Sequence, residues 1–172
     1  MNSMSPGGTG IGSASIGIVV PVYSGERHLE ELVDRIAALR ARLEEVRAFV
    51  RDSVDAFGGS TRVAEDLTQA VDEVTCNVML HGYEGAGGEI ELEAGLRDGM
   101  IEIRILDRAP VFDPTALPGP GTPPPPRKPG TAGAGIHLAR TMTDAVRHHV
   151  RPGGGNELTL VRSIDDQASE EG

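Results

Sequence analysis

Eight apolar residues recur at alternating steps of three and four between positions 29 and 57: Leu29, Leu32, Ile36, Leu39, Leu43, Val46, Val50 and Phe57, with Ser53 the single break. The positions between them carry Glu30, Glu31, Asp34, Arg35, Arg40, Arg42, Glu44, Glu45, Arg47 and Arg51. On an α-helix that spacing gathers the apolar groups into one stripe and leaves the charges in water. It predicts one long helix over 26–57, and it satisfies the heptad template of a coiled coil for about four heptads. A seven-residue repeat does not say what covers the stripe. The helix either lies on its own domain or forms a seam, and we expect a homodimer through about 29–46.

The flanking segments read as short elements. Ile16–Val22 reads as a strand, and Pro21 near its end suggests a sheet edge. Gly58-Gly59 ends the long helix, and Ser60 or Thr61 can cap a second one over 62–81, with Val63, Leu67, Ala70, Val71, Val74, Val78 and Met79 on one face. Residues 89–96 alternate Ile90, Leu92, Ala94 and Leu96 against Glu89, Glu91, Glu93 and Gly95. Asp98-Gly99 then signals a hairpin turn into a partner strand over 100–106, with Ile101, Ile103 and Ile105 on one face. Residues 114–130 hold eight of the twelve prolines and read as a long loop, the kind that is functional or disordered. A helix follows at about 134–145, and a last strand at 156–164. Residues 1–14 read as a flexible tail, 15–164 as one domain and 165–172 as an acidic tail. Hairpins with helices segregated between them predict an α+β two-layer sandwich.

Charge and composition remove several function classes. The net charge of −10 repels nucleic acid and anionic membrane, and the one basic pair, Arg127-Lys128, lies inside the proline run. Five aromatic rings do not make a base-stacking surface. A single cysteine, Cys76, excludes an internal disulfide and a Cys-based zinc cluster. No apolar run approaches the ~18 residues of a membrane span. A cytoplasmic setting is expected.

Three local patterns carry chemistry. Glu73 and Asn77 sit four residues apart on the second helix and so share a face. A carboxylate there can orient or deprotonate a hydroxyl, and an amide oxygen is a hard ligand suited to Mg²⁺. The segment from Asp107 to Pro114 follows directly on a strand. A strand-end carboxylate there can accept a hydrogen bond from an exocyclic amine, while Ala109 and Pro110 leave room for a flat ring. Third, Gly130-Thr-Ala-Gly133-Ala-Gly135-Ile136 opens a helix, where close backbone approach and terminal amides favour phosphate. It is not a Walker A loop, since no Gly-Lys-Ser/Thr follows. Singly, each pattern is as compatible with a polar helix face, a plain turn or an ordinary Gly-rich helix start.

Taken in order, DEVTCNVMLHGY at 72–83, DRAPVFDP at 107–114 and GAGIHLARTMTDAV at 133–146, closed by NELTLV at 156–161, resemble the GHKL ATPase superfamily, and more closely its anti-sigma-factor serine/threonine kinase branch. The resemblance covers about 60–164. It implies a Bergerat-type ATP-binding fold, with a mixed, mostly antiparallel sheet and helices on one face. It also implies roles: Glu73 as catalytic base, Asn77 as the Mg²⁺ ligand, Asp107 as the adenine contact, and Gly133 and Gly135 at the phosphates. Ala109, Phe112 and Ile136 belong to the same nucleotide-binding motifs, Ala109 standing where Gly is commoner, and Thr159 either lines the adenine end or simply faces the sheet. The implied cofactors are ATP and Mg²⁺. The implied reaction is transfer of the γ-phosphate to a Ser of a STAS-type anti-sigma antagonist, by a protein that also sequesters a sigma factor.

Two other readings stay open. One is a non-catalytic, nucleotide-gated switch that binds a sigma factor or antagonist, motivated by the long Pro-rich lid and by Ala109. The other is a histidine-kinase-like enzyme with His28 as phosphoacceptor, although only one such helix precedes the ATPase motifs and His28 lacks the downstream Pro.

Overall fold

The computed structural model describes residues 13–20, 29–83, 87–113 and 134–165. The elements are β1 (Ser13–Val20), α1 (Leu29–Ala56), α2 (Thr61–Asn77) continued by a π-helical turn (Val78–Gly82), β2 (Gly88–Arg97), β3 (Met100–Asp107), α3 (Ala134–Met142), β4 (Ala145–Val150) and β5 (Asn156–Ser163). The five strands form one sheet in the order β1-β2-β3-β5-β4. Every pairing is antiparallel, so the expectation of a partly mixed sheet is corrected. The short turns of β2–β3 and β4–β5 require antiparallel pairing, because a parallel pair needs a crossover connection.

Register puts one apolar row on one face. Ile18 lies opposite Ile90, Leu92 opposite Ile105, and Ile103 opposite Leu160. These side chains are buried with Val46, Val50 and Val54 of α1 and Val63, Leu67 and Val71 of α2. The result is the anticipated two-layer α+β arrangement, with helices on one face. The opposite face carries an ionic row in which Arg104 pairs with both Glu93 and Glu157. The hydrogen bond from Arg104 holds the Glu157 carboxyl below its ordinary value. The tight β2–β3 turn falls on Asp98 and Gly99, with φ of 51° and 74°, as Asp-Gly favours.

Two expectations about boundaries change. β1 begins at Ser13, so Ser13 and Ala14 belong to the sheet rather than to a tail, and β1 does occupy an edge. Pro21 lies outside the described residues. The helix expected at 134–145 stops at Met142, and 145–150 form a strand. The Thr143 hydroxyl donates back to the Ala139 carbonyl at 2.7 Å, and the Asp144 N–H bonds to Val161 O at 2.8 Å, which hands the chain from helix to sheet.

The long stripe divides in two. From Leu39 onward it lies on its own domain: Val46, Val50 and Val54 are fully buried, and Leu39, Leu43, Phe49 and Phe57 pack against the same core. The buried valines step by four, as expected where a straight helix drifts away from a strict seven-residue repeat. Val46 is therefore covered within the molecule, and Leu39 and Leu43 partly so. The side chains of Leu29, Leu32 and Ile36 lie outside the described residues. An ion pair fastens α1 to α2, Arg47 Nε to Asp72 Oδ2 at 2.6 Å. Arg162 of β5 joins Asp66 of α2 at 3.1 Å and Asp144 at 3.0 Å.

Leu92 is fully buried at the centre of the sheet, whereas Val19 on β1 is 62% exposed. Truncating a buried Leu leaves a cavity as well as losing transfer free energy. Leu92→Ala is expected to lower the unfolding free energy by about 2–5 kcal/mol. Val19→Ala is expected to stay within about 0.5 kcal/mol of the parent. Urea titration of both variants checks this.

Candidate functional site

A cavity of about 330 Å³ opens between the helical layer and the end of the sheet. Val74, Asn77, Val78 and Gly82 form one wall, and Ile105, Ile136 and Leu158 form its apolar floor. Asp107, His148 and Asn156 supply polar groups, and residues 109–112 form the lip. An apolar slot with a few converging polar groups at the low end of ligand-pocket size suits a flat, partly polar ring.

Asp107 ends β3 and is 3% exposed. Its Oδ1 accepts two hydrogen bonds at 2.9 Å, from the Ala109 N–H and from Asn156 Nδ2. Its Oδ2 takes none from the described residues and is not sealed, so it is the oxygen left for a ligand. Burial pushes this carboxyl above its ordinary value, while the bonds from Asn156 and Ala109 and the charge of Arg151 pull it back.

Three contacts place Asp107. The Asn156 side chain also accepts from the Phe112 N–H at 3.0 Å and donates to Pro110 O at 3.3 Å, tying the lip to β5. Gly155 has φ +94°, and a Cβ there would stand 2.2 Å from Asp107 O, so only glycine lets the β4–β5 turn approach so closely. Tyr83 lies just beyond the π-helical turn, with its hydroxyl donating to Glu89 O and accepting the Arg108 N–H at 3.0 Å. Its ring occupies the space a Cβ at Gly88 would need. The turn itself is of a kind that recurs at functional sites.

The structure brings together Asn77, Asp107, Ala109, Phe112 and Ile136 around the cavity. Ala109 is buried with no positive φ, and its Cβ fills the space beside Gly82, so the alanine costs the backbone nothing. Asn77 Nδ2 is sealed without a partner, whereas Oδ1 is neither sealed nor bonded to a described residue. Glu73, half-buried one turn before Asn77, does not line the cavity. Gly135 lies in the first turn of α3, and Gly133 lies outside the described residues. Thr159 is not part of the site. It pairs with Arg104 and Arg147 on the ionic face, one residue out of phase with Asn156 and Leu158. A strand turns alternate residues to opposite faces, so Thr159 points away from the cavity.

Tyr83, His148, Gly155 and Asn156 were not singled out by the sequence. The three glycines before Asn156 were a usable sign of close backbone approach, but nothing local showed what they approach. His81 also lines the cavity, at the end of the π-helical turn. Burial, with the charges of Asp72 and Glu73, pushes the Cys76 thiol up, which fits a structural cysteine. Among the described residues no group of three or more His, Cys, Asp and Glu could hold a metal ion, and no helix is long and apolar enough to cross a membrane.

A carboxylate buried at a strand end, with an open amide oxygen across an apolar slot, is the kind of site a nucleotide-binding domain needs, and the family comparison agrees. A model described as a histidine kinase-like ATPase domain matches residues 36–162, and the chain belongs to that family. Among individual proteins, the chain is similar to the serine-protein kinase RsbW of Oceanobacillus iheyensis, at 35% identity over 96 residues. That match covers 53% of this chain and 61% of the relative, less than two thirds of its length.

Tyr83 ties the end of the motif helix to the start of the lip by two hydrogen bonds. Tyr83→Phe is expected to destabilise the protein by about 1–3 kcal/mol, since the Glu89 carbonyl and the Arg108 N–H both lose a partner. Thermal unfolding of the unliganded protein measures it.

Proposed function

We propose that the protein is an ATP-dependent serine kinase that acts as an anti-sigma factor in the cytoplasm, binding Mg-ATP and phosphorylating a Ser of a STAS-type antagonist. The observation that carries the reading is Asp107: a buried carboxylate in an apolar slot, one oxygen saturated and the other open to a donor. The family match supports nucleotide binding, and the likeness to a serine-protein kinase supports the class of acceptor.

Ile105, Ile136 and Leu158 would hold the adenine base, and Asp107 Oδ2 would accept its exocyclic amine. The open Oδ1 of Asn77 fits a single protein ligand to Mg²⁺, an ion that takes most of its coordination from water and phosphate and so needs no carboxylate cluster. When bound, Mg²⁺ offsets the negative charge of the phosphates. The resemblance gives Gly133 and Gly135 to those phosphates, and Gly135 lies in the first turn of α3, where helix N-terminal amides favour anions. Glu73, one turn from Asn77, orients the acceptor hydroxyl and takes its proton as the phosphoryl group transfers. The antagonist's Ser reaches Glu73 from outside the adenine slot, which agrees with Glu73 standing off the cavity wall. A second reading, a nucleotide-gated switch without transfer, draws on that same position of Glu73. It predicts ATP binding with no phosphorylated product.

Mixing the protein with Mg-ATP and its antagonist is expected to phosphorylate one Ser. Glu73→Ala is expected to slow transfer by about 10²–10⁴-fold while leaving ATP affinity unchanged. Transfer by this variant at the parent rate removes Glu73 from the mechanism.

Asp107→Asn keeps an oxygen for Ala109 and Asn156 and turns an N–H donor towards the base amine. ATP affinity is expected to fall roughly 10- to 100-fold by calorimetry. The unliganded variant is expected to be at least as stable as the parent. The folded protein holds a proton on Asp107 more tightly than the unfolded chain, so this group's contribution to stability is lost as pH rises from its ordinary value through its raised folded one. Asparagine carries no such cost at neutral pH. ATP affinity of the parent is expected to weaken on acidification through the same raised value, because the amine needs the ionised carboxylate.

A further inference from the structure

The Asn156 amide has only one possible orientation. The Phe112 N–H can only donate and takes Oδ1, while Pro110 O and the ionised Asp107 can only accept and take Nδ2. His148 Nε2 also meets Asn156 Oδ1, at 3.0 Å, so that nitrogen must carry the ring proton. The His148 side chain is 5% exposed and lines the cavity, with Nδ1 3.6 Å from Asp113 Oδ1. A directed chain of donors therefore runs from β4 through β5 to the end of β3: His148 to Asn156 to Asp107. Its last link, with the Ala109 N–H, saturates Oδ1 and stops the carboxylate from rotating.

We propose that Asn156 and His148 are positioning residues for base selection: they fix Asp107 so that one acceptor oxygen alone faces the cavity, and this makes the site accept an amino-purine and reject a keto-purine. The proposal rests on the reading of this cavity as an adenine site. A 6-amino group gives Oδ2 the proton it lacks. A 6-keto group meets it acceptor against acceptor, and a carboxylate held through Oδ1 has no second arrangement to offer. A site built around a donor on its ligand rejects the analogue without that donor far more strongly than an apolar pocket rejects a change of shape. Released from Asn156, the carboxylate can turn, take up a proton and donate to a keto oxygen, so discrimination falls even where affinity survives.

The test is calorimetric titration of the full chain with ATP and with GTP. The parent is expected to prefer ATP by at least about 100-fold. Asn156→Leu is expected to bring that ratio below about tenfold. His148→Leu is expected to lower the ratio as well, because Asn156 loses the donor that helps hold its oxygen. His148→Gln, whose amide nitrogen can stand where Nε2 stands, is expected to restore it. If Asn156→Leu does not fold, the two His148 variants decide the matter. An unchanged ratio in the Leu variants, or equal losses for ATP and GTP with no change in ratio, overturns the positioning role. Absence of ATP binding by the parent overturns the adenine reading itself, an outcome distinct from either of these.

Discussion

Asp107 is the group around which this site is arranged. It ends the middle strand of the sheet with 3% of its surface exposed, where an unpaired carboxylate would be costly to hold. Two hydrogen bonds on Oδ1 offset part of that cost, and each comes from a different part of the chain. The Ala109 bond curls the backbone back just after β3. The Asn156 bond draws in β5, which needs Gly155 to lie on the Asp107 carbonyl with no side chain between. Tyr83 then fastens the motif helix to Arg108. Helix, lip and the last hairpin converge on one residue, and the cavity is the space they leave between them.

This arrangement also accounts for the composition. The slot is walled chiefly by the aliphatic side chains Val74, Ile105, Ile136 and Leu158, with Phe112 the one Phe, Tyr or Trp among its lining residues. The outward face of the sheet carries an ionic row of its own, where Arg104 and Arg147 are paired with glutamates.

Features governed by local periodicity were legible in the sequence. The β2–β3 hairpin was plain from alternation and Asp-Gly, and α2 from its apolar face and Ser60, whose hydroxyl caps Val63 N–H at 3.3 Å. β4 was not legible, because its inward positions hold Val146 and a histidine, and His148 looks like a surface residue until its partner on β5 is known. The long stripe was legible as a helix but not in its destination, since the same spacing serves a coiled-coil seam and a domain core. Within the site, Asn77 and Asp107 were recognisable from ordered motifs, whereas Asn156 was not. Its role depends on a bond to a residue 49 positions away. For Thr159 the sequence left two places open, because its phase relative to Asn156 shows only in the sheet. Alternation assigns it to the far face once the register is fixed.

In the proposed complex Asp107 Oδ2 receives the amine of an adenine base. A crystal structure of the protein with a non-hydrolysable ATP analogue tests it most directly. The base is expected between Ile136 and Leu158, its exocyclic nitrogen about 3 Å from Asp107 Oδ2, and the Asn156 amide still bound to Oδ1. A base seated outside this cavity, or one inside it with its amine turned away from Asp107, would rule out Asp107 as the adenine contact.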